Sequence, residues 1–306
     1  MESTAAKQLE HLRAAAELGG LAVSNYVLPV DRHVLVGTHR FHYLDWRARE
    51  GSRAVLLLHG GGLTAHTWDL VCLSLQPEYH CLALDLRGHG DSEWSAAMEY
   101  SREAHAADIE GLVDLLDLDD FVLVGMSLGG LNALEYAARH SDRLRALVLV
   151  DVGPEIQMRG AERIREFITQ DAEFDSVEEV VELARKFNKS RRPELLRTSL
   201  LFNLLKLPDG KWTWKYDRRA MSRINPEAMI RSLRALAKRL PAITCATLVV
   251  RGERSDVFSD EDAEKVAARV PNARWVKVSN AGHTVQGDNP RGLVDAMRAF
   301  FTEVGA

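Results

Sequence analysis

The chain has 306 residues, 46% of them hydrophobic and 27% charged, with a formal net charge of −5 at pH 7. This length suits one large α/β domain or two smaller ones, and the composition is that of a globular enzyme. The negative balance argues against nucleic acid as a partner. No apolar run approaches the ~20 residues of a membrane span, and the Ala- and Glu-rich start lacks the apolar centre of a signal peptide.

In chain order, a first helix around residues 12–18 stops at Gly19 and Gly20. Two segments with strand character follow, at 23–36 and 39–46. Short, bounded apolar runs then recur at 54–58, 81–84, 121–124, 144–150 and 246–250, with a last strand at 274–278. Such runs suit strands buried on both faces of a parallel sheet. Helical patterns at 68–75, 101–116, 131–139, 260–270 and 291–301 alternate with them. The alternation predicts a parallel sheet with helices on both faces and a site at the carboxyl ends of its strands. Residues 152–243 break the pattern: helices, but no buried-strand run. Between 155 and 240 the chain carries 19 Lys and Arg against 13 Asp and Glu, so this insertion is basic while the remainder is acidic. Cys72, Cys81 and Cys245 have no metal spacing and read as reduced, buried thiols of a cytoplasmic protein.

The chemistry concentrates at strand ends. Gly125-Met126-Ser127-Leu128-Gly129 is a G-x-S-x-G nucleophile elbow, with an apolar strand leading in and a helical pattern leading out. The alternative for Ser127 is a helix cap in a Gly-rich turn. Acyl transfer also needs N–H donors for the oxyanion. Leu128, after the nucleophile, supplies one. Gly61, or failing it Gly62, in His59-Gly60-Gly61-Gly62 after the 54–58 strand supplies the other. His283 follows the last strand and precedes the last helix, which makes it the candidate base among eleven histidines. The acid falls between serine and histidine in this chain order. Asp256, on the loop after the 246–250 strand, is one strand nearer the histidine loop and is the expected acid; Asp151, ending the 144–150 strand, is the alternative.

Within the insertion, Trp212, Trp214 and Tyr216 alternate, so an extended segment places them on one face, where they line a substrate pocket or pin the insertion to the sheet. The basic run from Arg185 to Arg192 either attracts an anionic substrate or is a solvated helix face.

Together, His59-Gly60-Gly61, Asp85-Leu86-Arg87-Gly88-His89-Gly90-Asp91-Ser92, the elbow through Gly130, Gly252 to Asp256, and Gly282-His283 resemble the α/β-hydrolase superfamily. The resemblance covers nearly the whole chain outside the first helix and the insertion. It implies an α/β-hydrolase fold, a mostly parallel sheet flanked by helices, with a helical cap after the sixth strand. The core is then 1–151 and 244–306, and the cap 152–243. It also implies that Asp85 to Ser92 is a structural loop beside the site. Epoxide hydrolases and haloalkane dehalogenases of this layout use Asp as nucleophile, and Ser127 argues against both. The expected function is serine hydrolysis of a carboxylic ester or related acyl bond of a small molecule, through an acyl-enzyme on Ser127. No metal or organic cofactor is implied, and the oligomeric state stays open. Alternatives are an enol-lactonase or carbon–carbon bond hydrolase on an anionic substrate, a cofactor-free dioxygenase using the same His–Asp pair, and a ligand receptor.

Overall fold

The computed structural model describes residues 4–155, 157–169, 173–188, 191, 193–222 and 225–306. Helix α1 (Thr4–Leu18) precedes the hairpin β1 (Val30–Val36) and β2 (His39–Trp46); residues 21–29 are not strand. The core continues with β3 (Ala54–Leu58), a 3-10 turn (Ala65–Trp68), α2 (Asp69–Leu75), β4 (His80–Leu84), α3 (Arg102–Leu115), β5 (Phe121–Met126), α4 (Leu128–His140) and β6 (Leu144–Val150). The inserted segment holds α5 (Met158–Thr169), β7 (Glu173–Phe174), α6 (Val177–Phe187), α7 (Pro193–Phe202), β8 (Leu204–Lys206), β9 (Trp212–Trp214), α8 (Arg218–Ser222) and α9 (Pro226–Ala237). The core resumes with β10 (Ala246–Gly252), α10 (Asp260–Arg269), β11 (Ala273–Val278), α11 (Val285–Asp288) and α12 (Pro290–Val304).

The large sheet has eight strands in the order β1-β2-β4-β3-β5-β6-β10-β11. β2 alone is reversed, pairing antiparallel with β1 and with β4; from β4 to β11 every pairing is parallel. Alternation along each central strand divides its side chains between two cores. Val55, Leu57, Val122, Val124, Val148 and Val150 pack with α1, α2 and α12. Leu56, Leu58, Leu123, Leu147, Leu149 and Val249 pack with α3, α4 and α10 on the other face. Strands buried on both faces need an apolar residue at every position, which is why they read as unbroken Val/Leu runs.

Local signals fix the helix ends. Ser259 and Asp262 form a reciprocal capping box at α10, and Asn289 with Pro290 opens α12, which closes at Gly305 in the left-handed region. The insertion differs from the all-helical expectation: β7, β9 and β8 form a small antiparallel sheet. Its strands are two or three residues long, too short to leave a periodic signature. Its core gathers Phe174, Val180, Leu196, Leu200, Trp214 and Tyr216.

Candidate active site

Ser127 lies where β5 meets α4, at the centre of the sheet's carboxyl edge. Its backbone has φ 51° and ψ −117°, a strained conformation for a residue with a side chain. The glycines around it make the turn possible. A Cβ on Gly125 would lie 2.6 Å from the Gly129 oxygen, and one on Gly129 would lie 2.4 Å from the Leu58 oxygen. Gly129 N–H donates to the His59 carbonyl at 3.0 Å, tying the elbow to the glycine-rich loop. Leu128 opens α4, so its N–H has no acceptor within the helix. Gly61 packs beside it: a Cβ there would stand 3.9 Å from Leu128 Cδ2. The two expected oxyanion donors are therefore neighbours.

His59 holds the glycine loop in place. Its Nδ1 bonds the Gly60 carbonyl at 2.8 Å and its Nε2 accepts the Leu86 N–H at 3.0 Å. Accepting at Nε2 requires the neutral ring, and full burial lowers its pKa in the same direction. Asp85 anchors the next loop. It accepts N–H bonds from Ala65 at 2.6 Å and Asp91 at 2.9 Å and pairs with His42 Nδ1 at 2.7 Å. Against the cost of burial, the His42 bond leads the effects that hold its pKa down to about 2. His42, Asp85 and Asp91 are the one group of three possible metal ligands close together among the described residues. These groups are already engaged: His42 Nε2 meets Asp31 Oδ1 at 3.1 Å, and the Asp91 carboxylate pairs with Lys215 Nζ at 2.6 Å.

The carboxylate beside His283 is Asp151, not the expected Asp256. His283, on the loop after β11, bonds through Nδ1 to Asp151 Oδ2 at 2.8 Å. Asp151 ends β6, is fully buried, and adopts φ 53°. Its other oxygen accepts the Gly252 N–H at 2.8 Å, and Ser255 Oγ donates to Oδ2 at 2.5 Å. Asp256 instead points away: its half-exposed carboxylate pairs with Arg163 of α5 at 2.7 Å. The reason is local. The chain turns back after β10, with Ser255 N–H on the Gly252 carbonyl and Arg254 N–H on the Ala281 carbonyl, so Ser255 faces Asp151 and Asp256 faces the insertion. Asp151 was legible as a carboxylate ending an apolar strand; Ser255 carried no sequence signal. Ser127 N–H bonds the Val150 carbonyl at 3.4 Å, so serine and Asp151 leave adjacent strands side by side. No hydrogen bond joins Ser127 to His283 among the described residues; such bonds are commonly loose before substrate binds.

The insertion roofs this edge. Tyr216 is buried, donates from its hydroxyl to the Ile168 carbonyl at 2.5 Å, and stands with Ile168 over Gly62, within 3.5 Å of a Cβ built there. Trp214 is buried too, edge-on to Phe167 and Phe174 at 5.5 Å, while Trp212 is half-buried beside Lys206. The segment after β9 is laced to the 88–91 loop by Gly90 N–H to the Lys215 carbonyl and Asp217 N–H to the Gly88 carbonyl, at 2.8 and 2.7 Å. In the basic run, Arg185 pairs with Glu182 at the surface. Arg191 turns inward, and Lys189, Ser190 and Arg192 lie outside the described residues.

Known proteins resemble the chain in sequence and in fold. The chain is 34% identical over 251 residues to esterase Rv0045c of Mycobacterium tuberculosis, spanning 80% of this chain and 81% of that one. A solved structure of that esterase superposes with a TM-score of 0.78 at 30% identity, covering 96% of this chain and 98% of the other. The 3-hydroxybutyrate-oligomer hydrolase of Cupriavidus necator is 29% identical over 87% of this chain and 94% of its own. Residues 53–290 match the family model of the alpha/beta hydrolase fold, and the chain belongs to that family.

Proposed function

We propose that the chain is a serine hydrolase that cleaves carboxylic esters of small molecules through an acyl-enzyme, with Ser127, His283 and Asp151 as its triad. The observation that carries this reading is the 2.8 Å bond from His283 Nδ1 to buried Asp151 at the sheet edge where strained Ser127 stands. In this mechanism Ser127 attacks the ester carbonyl as His283 takes its proton. Asp151 fixes the Nδ1–H tautomer and stabilises the imidazolium. The Leu128 and Gly61 N–H groups bind the oxyanion, with the α4 N-terminus adding its dipole. His283 then protonates the leaving alcohol, and water repeats the sequence on the acyl-enzyme. Relatives named as esterases, lipases and hydrolases support the ester as substrate. Residues 152–243 act as the cap that excludes water and supplies the substrate's remaining contacts. Three buried, unpaired thiols support the cytoplasm as the working compartment.

A fluorophosphonate probe tests the nucleophile. The account expects stoichiometric labelling on Ser127 and loss of p-nitrophenyl ester turnover on the order of 10⁶ in kcat for Ser127→Ala. Labelling at another serine, or retained turnover, contradicts it. Binding of a ligand without turnover of any ester would move the chain to the receptor reading.

A further inference from the structure

Helix α1 lies outside the residues matched by the family model, yet it is built into the molecule. Leu12 and Ala16 join the core beside α2 and α12. Its other flank faces α7 of the insertion across a cavity of about 160 Å³, closed below by the 65–68 turn, α2 and α11. None of Ser127, Asp151, His283, Gly61 and Leu128 lines this cavity.

The walls are largely apolar, from Leu12, Leu28, Trp46, Leu70, Leu195 and Phe202. His66 lies flat on Phe202 with ring centroids 3.7 Å apart. Three buried polar atoms on these walls lack partners. Gln286 is 1% exposed, donates from Nε2 to Thr67 Oγ1 at 3.1 Å, and leaves Oε1 unpartnered. Asp69 engages His66 Nδ1 through Oδ2 at 2.9 Å and leaves Oδ1 unpartnered. Arg191 Nε has no hydrogen bond, with Asp288 Oδ1 3.8 Å away. An apolar pocket with a few convergent polar groups is the form a small-molecule site takes, and buried polar atoms ordinarily find partners.

We propose that this cavity is a second binding site, separate from the catalytic cluster, for a compact molecule with an apolar body and a hydrogen-bond-donating head: an alcohol or amine. The size sets the body, since a cavity of ~150 Å³ accommodates a benzene ring. The polar atoms set the head. Asp69 Oδ1 and Gln286 Oε1 are acceptors, so a hydroxyl or ammonium group satisfies them. A carboxylate head meets two lining carboxylates, Asp69 and Asp31, against one lining guanidinium, Arg191, which already faces Asp288, and the balance is repulsive.

The test holds the body constant and varies the head. The melting temperature of the whole protein is followed against benzyl alcohol, benzylamine, toluene and benzoate. Expected is a saturable rise of about 2 °C for the alcohol or the amine at tenfold above its dissociation constant. Toluene should respond more weakly and benzoate not at all. Ser199→Phe on α7 and Ala15→Phe on α1 fill the cavity from opposite walls. Either one that folds should abolish the response while ester turnover persists. No saturable rise with alcohol or amine, equal response to benzoate, or a rise that survives the filling variants overturns the proposal.

Discussion

At the scale of single residues, the Asp151 carboxylate carries the most weight. It is buried and accepts from His283, Ser255 and the Gly252 N–H. Three donors hold it in place. Ser255 is a positioning residue in this arrangement, with its own Oγ accepting from the Val257 and Phe258 N–H groups. Hydrogen bonds to a charged group contribute about 1.5–3 kcal/mol, so Ser255→Ala should lower kcat roughly 10- to 100-fold, with Ser255→Thr restoring most of it. Steady-state kinetics on a p-nitrophenyl ester decides this; a Thr variant as slow as Ala would show that Ser255 only packs. The proposed serine and histidine can be nominated from sequence because each sits in a short motif at a strand end. The proposed acid cannot, because choosing between Asp151 and Asp256 depends on how residues 253–256 fold back, and that turn is set by bonds to Gly252 and Ala281 that no local pattern announces.

At the scale of elements, the buried strands were legible and the short strands of the insertion were not. β3 and β6 lie where their apolar runs lie, since strands covered on both faces exclude polar residues. The strands β7, β8 and β9 owe their existence to tertiary pairing and to Trp214, which lies between Phe167 and Phe174. Trp214→Ala should therefore act on stability, costing about 3–5 kcal/mol of packing in the cap. A melting curve beside a panel of esters of graded acyl length checks it. Lowered melting temperature with unchanged selectivity is expected; changed selectivity at unchanged stability would make Trp214 a substrate contact. The Arg163–Asp256 pair, with both side chains about half exposed, joins α5 to the loop after β10. Exposed pairs are worth ~0–1 kcal/mol, so Asp256→Asn should leave the melting temperature nearly unchanged.

At the scale of the whole molecule, burial has also fixed the charge state of three histidines. Burial lowers the pKa of His59, and burial, with neighbouring basic side chains acting the same way, takes His89 and His105 to about 3. A histidine whose folded pKa is depressed binds its proton more readily in the unfolded chain. Stability is then intact above the unfolded value near 6.5 and falls as pH drops toward 3. Asp85, held at about 2, adds to the loss below its unfolded value. His42 and His66 are raised and act oppositely, but only as pH rises past the unfolded value. Near pH 5 His89 and His105 alone should make unfolding take up about two protons, a slope of about 3 kcal/mol per pH unit, and His59 acts in the same direction. Urea denaturation at pH 7, 5.5 and 4.5 reads this, and a flat profile would show that these rings are charged in the folded state.

The fold brings the ends of β5 and β6 and the loop after β11 to one point, and the central claim is that an esterase triad stands there. Steady-state kinetics of Asp151→Asn beside Asp256→Asn, on the same p-nitrophenyl ester, tests it most directly. Asp151→Asn should lose roughly 10⁴ in kcat, because the wrong histidine tautomer is then favoured, while Asp256→Asn should keep near wild-type turnover. A large loss confined to Asp256→Asn would contradict it.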